Sequence, residues 1–540
     1  MHQYDHVLPD WSAAGVEQMQ REMRSLRARI PALAPSLDDA IAMRNWGAID
    51  LAFADSFLEI QLAELEGRQF QRGNPSLVIG EAVFAVIGLM VRDFAPIEAR
   101  ARMVCARLAA IPRFLSSALA VVAESPVPAT WIDKAQRECD GARMLLGPGL
   151  DRWCRAPELP DELPDGLRDA VRREGDAALG AVEAFSAELS DLPRDVAPAR
   201  ACGSEMLALL LRRGHWYETP IDGLHETVRA TFRTERACLD DMARAVDPAG
   251  LTAVQEHLAA AHPSADEYLS AFQATTDACH ALSASQELVS WPDAPIRYVP
   301  IPDATRDAAP FLYYLFYRSP APLEWPDVHD YVVTPIDGLS DEARDRHLRA
   351  WNDSVIKLNH VVHHGALGHH VQNWNAARSP LTIGRIAAVD CASRIGMFLG
   401  GTMAEGWACY ATDLMDEGGF LDAAEQVSEQ ESRVRMLARA LVDIEFHTGA
   451  RTFDEGAALY HHEVGMPPAA AHAEMVKNSM FPGTALMYWL GTSQIHALRA
   501  RERARLGDAF RARDFHDAFL SFGAIPVALV ARLMAQGAPA

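Results

Sequence analysis

The chain has no C-x-x-C pair. Its eight cysteines are scattered from Cys105 to Cys409, a pattern that suits small reduced thiols and offers neither a disulfide framework nor a cysteine-built zinc site. Basic residues are also in short supply. Against 73 Asp and Glu there are 50 Lys and Arg, a formal charge of -23, so a polyanion would bind against an unfavourable average field. Nucleic acid and anionic membrane are therefore not expected partners. No run of about 18 uninterrupted apolar residues occurs, and the start, "MHQYDHVLPDWSAAG", lacks a basic stretch followed by an apolar one. From these absences the expected location is cytoplasmic. Fixed-period repeats and low-complexity segments are missing too, apart from Ala-rich helix faces.

What is present is enough apolar material for a large core: 49% of the 540 residues are hydrophobic. Residues 12–290 carry apolar positions at three- and four-residue spacing, as in "IDLAFADSFLEIQLAEL", with Pro, Gly or Asp between segments. Near residue 290 the texture changes. "APIRYVPIP", "PFLYYLFYRSP" and "HDYVVTPI" are short, aromatic and β-branched, and predict three strands. Helices resume at Ser340, which stands before an acidic first turn. The expected fold is mainly α, a large multi-helix body with a small β-sheet next to the histidine-bearing helices. Residues 1–290 form its N-terminal helical region and 291–540 its catalytic metal-binding region, packed as one body.

Five of the chain's 20 histidines, His360, His363, His364, His369 and His370, fall in "NHVVHHGALGHHVQNW". A four-coordinate zinc-type ion, with bonds of about 2.0–2.1 Å to nitrogen, holds its ligand atoms roughly 3.3 Å apart. His360 and His364 meet helical i,i+4 spacing, whereas His363 and His369 would point to different sides of a regular helix. Gly365 and Gly368 permit a bulge or break that returns His369 towards His363. A second stretch, "GTMAEGWACYATDLMDEGGF" at 401–420, offers Glu405 among small residues. Spacing alone leaves Glu405 open as a third ligand of a His/His/Glu set or as a capping or ion-paired carboxylate. Trp407 and Tyr410 read as core packing.

"HHGALGHHVQ" at 363–372 and "EGWACY" at 405–410 resemble the paired motifs H-E-x-x-P-G-H-H-x-Q and E-G-W-A-x-Y of bacterial domain-of-unknown-function family eight-eighty-five, which is related in pattern to the gluzincin metallopeptidases. "RALVDIEFHTGARTFDEGAALY" (439–460), "FPGTALMYWLGTSQIHALR" (481–499) and "FHDAFLSFGAIPVALV" (515–530) resemble later blocks in the same order, so the likeness spans about residues 200–540. It implies His363, His369 and Glu405 as metal ligands. His370 is implied behind them or as a substitute ligand, and Asp443 and His447 as pocket residues that orient ligands or touch substrate.

The chain departs from the family at positions that matter for chemistry. His364 replaces the glutamate that activates water, Leu367-Gly368 replaces P-G, Lys477-Asn478 replaces R-Y, and Thr484 replaces a glutamine. Those last positions are implied to hold a substrate carboxylate and oxyanion. The expectation is a metal-dependent enzyme acting on a small molecule, with one divalent transition ion, zinc first and iron or manganese also compatible. Hydrolysis of an amide or related C–N bond is the expected reaction, with His364 as base and Lys477 at the substrate. The rivals are a non-hydrolytic lyase or iron-dependent oxidation, and a catalytically silent metal-binding protein.

Overall fold

Ser340 starts a helix as its sequence predicts: its hydroxyl accepts the N–H of Ala343 at 3.2 Å, and Asp341 and Glu342 lie in the first turn of Asp341–Ala350. The structure, a computed structural model, describes residues 4–156, 166–311, 323, 326–388 and 394–536. The fold is mainly helical. The chain divides into two units that interleave in sequence. The first comprises Met1–Leu26, Gln61–Arg200 and Pro300–Leu315, the second Arg27–Ile60, Ala201–Val299 and Phe316–Ala540. The texture change near residue 290 therefore marks the entry to the sheet, whereas the chain passes between the units several times.

In the first unit, Asn74 caps Pro75–Val91 by accepting the N–H of Ser76, and Pro75 takes the first helical position, where a missing N–H costs nothing. That helix and Leu167–Ser190 both pack on Ile97–Val122. Ile97–Val122 is long and apolar enough by composition to cross a membrane. Val104, Leu108, Ile111 and Leu115 are nonetheless buried within its own unit, as in the core helix of a globular fold.

The second unit carries the histidines. Ala423–Thr448 opens with a capping box between Asp422 and Glu425 and packs on Ile221–Val246. Gly401–Glu417 packs on Met487–Leu506, and the two backbones meet at Gly406 and Gly491, where a Cβ on Gly406 would lie 2.6 Å from the Gly491 Cα. Only two glycines allow that approach.

Strand Ile296–Pro300 pairs with His329–Val333. Ile296 and Tyr298 alternate inward, while Arg297 pairs with Asp330 across the outer face at 2.7 Å. Two of the three expected strands are thus present. The third, "PFLYYLFYRSP", lies almost wholly outside the described residues. The Tyr331 hydroxyl is hydrogen-bonded to His360 Nδ1 at 2.8 Å, so the sheet does sit beside the histidine segment.

Candidate metal centre

Asn352 caps the turn that leads into the histidines by accepting the N–H of Val355 at 3.0 Å. From Ile356 to His363 the helix is widened to π geometry, and the N–H of His364 reaches the carbonyl of Asn359, five residues back, at 3.0 Å. The helix then breaks. Gly368 has φ -76° and ψ -109°, and a Cβ there would overlap the carbonyl oxygen of His363. The break returns His369 to His363, their ring centres 5.1 Å apart, as the two glycines predict.

The glutamate arrives from another helix. Trp407, fully buried, donates its indole N–H to the carbonyl of Leu367 at 2.9 Å, satisfying a carbonyl inside the broken segment. Burying a side chain of that size stabilises by about 1.5–3 kcal/mol or more. Both effects fix Gly401–Glu417 against the histidines. Glu405 Oε2 then stands 3.4 Å from His363 Nε2 and 3.8 Å from His369 Nε2. The ligand atoms of His363, His364 and His369 all lie within 4.8 Å of one another.

Burial alone would push the Glu405 carboxyl up, but the His363 hydrogen bond and the nearby imidazoles outweigh it and hold it at about 2. For His369, burial dominates and lowers the imidazole to about 4; burial and the neighbouring histidines take His364 well below its ordinary value. At neutral pH the Glu405 carboxylate thus faces neutral imidazoles at His364 and His369, the protonation a divalent cation requires of its ligands. Separations of 3.4 and 3.8 Å are close to the roughly 3.3 Å that a zinc-type ion imposes. The residues fit such an ion.

His364 shows which nitrogen it offers. Its Nδ1 lies 2.8 Å from the Asn359 carbonyl, an acceptor only, so Nδ1 carries the hydrogen and Nε2 the lone pair. His363 Nδ1 lies 3.9 Å from Cys409 Sγ. Cys409 follows Glu405 by one helical turn, a spacing that could have placed it here from sequence.

The remaining candidates face elsewhere. His360 is hydrogen-bonded to Tyr331 and stacks on Trp351 with ring centres 4.0 Å apart, and His370 Nε2 donates to the Ala294 carbonyl at 2.7 Å. Asp443 is fully buried and accepts the N–H groups of Gly483 and Leu486 at 3.0 and 3.1 Å. Burial pushes its carboxyl up to about 7 against the pull of those donors. His447 accepts the N–H of Cys202 at Nδ1, at 3.1 Å, and donates from Nε2 to the Asn478 carbonyl at 3.0 Å. Neither belongs to the donor group. Lys477 is half-buried on Pro468–Met480, where its charge helps to hold Glu474 low.

A prediction separates anchoring from chemistry at Asp443. Replacing it with Ala leaves two buried N–H groups unpaired, at about 1–3 kcal/mol each. Urea denaturation of Asp443→Ala should show that loss, with metal content per folded chain unchanged; a metal-free but fully stable variant would reverse the assignment.

Two solved structures share the whole fold. A "putative lipoprotein of unknown function" from Shewanella oneidensis aligns with TM-score 0.76 at 19% identity, covering 99% of this chain and 95% of that one. A "putative lipoprotein" from Colwellia psychrerythraea aligns with TM-score 0.76 at 18% identity, covering 98% and 92%. These descriptions overturn the cytoplasmic expectation, since lipoproteins are membrane-anchored or secreted. The scarcity of apolar runs that prompted it concerns how a chain folds, and it does not fix the compartment. No curated protein matches the chain. With its model matching residues 1–534, the family described as bacterial protein of unknown function (DUF885) is the one to which this chain belongs.

Proposed function

We propose that the chain is a metal-dependent enzyme on a metallopeptidase-like scaffold, acting on a small molecule and hydrolysing an amide or related C–N bond. The observation that carries this reading is the approach of Glu405 to both His363 and His369, at 3.4 and 3.8 Å, across a broken helix. The two segments that meet there are the two that resemble the gluzincin motifs. A bound divalent ion supplies Lewis-acid polarisation of a carbonyl or of water. In hydrolysis the water oxygen joins the carbonyl carbon, the C–N bond breaks, and the amine leaves with a proton. His364, at the position of the family's glutamate, is the group placed to take the proton from water, provided its Nε2 stays off the ion.

A second reading, a non-hydrolytic reaction at iron or manganese, is favoured by the same residue. His364 belongs to a group of three imidazoles whose ligand atoms lie within 4.8 Å of one another, and its Nδ1 is taken up by the Asn359 carbonyl.

Metal analysis of the purified protein tests the common part. About one tightly held transition ion per chain is expected, and a protein that takes up none would end both readings. For the reaction, poor general peptidase activity is expected. Positions 364, 477 and 478 hold His, Lys and Asn in place of the family's Glu, Arg and Tyr, which removes the usual water base and much of the carboxylate and oxyanion recognition. Turnover of unmodified peptides at about 1 per second or faster would contradict this.

A further inference from the structure

We infer that His364 is a fourth protein ligand of the metal centre, giving a three-histidine, one-carboxylate set that suits a six-coordinate ion of the iron(II) or manganese(II) kind. The inference rests on the metal-dependent reading and supports its second, non-hydrolytic form, in which His364 does not act as the water base. Three observations lead to it. The Asn359 carbonyl takes the Nδ1 hydrogen of His364 at 2.8 Å, so the ring presents a lone pair at Nε2 and is held from behind, as ligating imidazoles are. That carbonyl is five residues back, within reach because the helix is widened to π geometry from Ile356 to His363. The widened turn therefore orients His364, while the break at Gly368 brings back His369. Lastly, the ligand atoms of His363, His364 and His369 fall mutually within 4.8 Å. His360, one regular helical turn away in sequence, has its Nδ1 on Tyr331 and its ring on Trp351.

The consequence for metal choice comes from coordination number. A four-coordinate catalytic zinc site uses three protein ligands and keeps one position for water or substrate. A fourth protein ligand fills a four-coordinate site and leaves zinc an open position only by expansion to five-coordinate. A six-coordinate ion with the same four ligands keeps two positions, enough for a substrate that chelates through two oxygens or through oxygen and nitrogen. The substrate class is therefore a small bidentate ligand, such as a 2-hydroxy or 2-amino acid derivative, and His364 is occupied rather than waiting as a base.

Metal titration tests this. The chelator-stripped protein is titrated without oxygen with iron(II), manganese(II), zinc(II) and cobalt(II), beside His364→Ala, His364→Gln and His360→Ala, with circular dichroism to confirm folding. Loss of a group behind a ligand weakens binding about 10–100-fold, so loss of a ligand should cost at least 10-fold. Both His364 variants are expected to bind every ion at least about 10-fold more weakly, and to show a cobalt(II) absorption spectrum changed in band position. His360→Ala should match the parent. If His364→Gln, the variant more certain to fold, binds cobalt(II) with unchanged affinity and spectrum, His364 is off the ion and the inference falls while the metal-dependent reading survives. A parent protein that takes up no ion at all removes both.

Discussion

Replacing Glu405 with Ala should strip the protein of its metal, from about one ion per chain to almost none, measured by elemental analysis after gel filtration. Glu405 is the only carboxylate that approaches the histidines among the described residues, at 3.4 Å from His363 and 3.8 Å from His369. It is also the group that burial would keep neutral, were the imidazoles not there to hold it at about 2. Without it, a divalent ion in this half-buried site has no anionic ligand. Since groups merely supporting a ligand are worth about 10–100-fold in affinity, the direct loss should exceed about 100-fold. Glu405→Gln keeps the shape and loses the charge, so it should be nearly as poor; full metal occupancy in either variant would place the ion elsewhere.

Gly368→Ala should damage both stability and site. The added methyl carbon would overlap the His363 carbonyl and sit 2.6 Å from that of Val362. Both are backbone atoms, so no side chain can swing aside. Overpacking of a tight interior costs about 1–3 kcal/mol and sometimes more, and the relief available here is to reopen the break. That moves His369 away from His363, from which it is separated by six residues. The expected result is a lower denaturation midpoint together with weakened metal binding in the fraction that remains folded. Unchanged midpoint and unchanged affinity would show that the break does not bring His363 and His369 together.

How much of this was legible in the sequence differs from residue to residue. Gly365 and Gly368 disclosed the break, because helical geometry forbids His363 and His369 from meeting without one. The short aromatic runs around Tyr298 and Tyr331 disclosed the sheet beside the histidines, since alternation needs only local spacing. The tautomer of His364 was not legible: it depends on a carbonyl reached only through a π turn, and nothing in "NHVVHH" requires that turn. Asp443 and His447 were implied as pocket residues by the family resemblance alone. Their partners, Gly483, Leu486, Cys202 and Asn478, come from segments brought in by the fold, which local periodicity does not reveal. The interleaving of the two units was hidden for the same reason.

The indole bond from Trp407 to Leu367 joins residues 40 positions apart, and with the Gly406–Gly491 contact it sets where the carboxylate helix meets the histidines. The length of the connecting chain does not. Closing a loop of twice that length would cost only about 0.6 kcal/mol more in entropy. What holds the carboxylate helix in place is therefore packing, to which Leu381, Ala387, Phe398 and Leu399 of the connecting stretch also contribute, all of them buried.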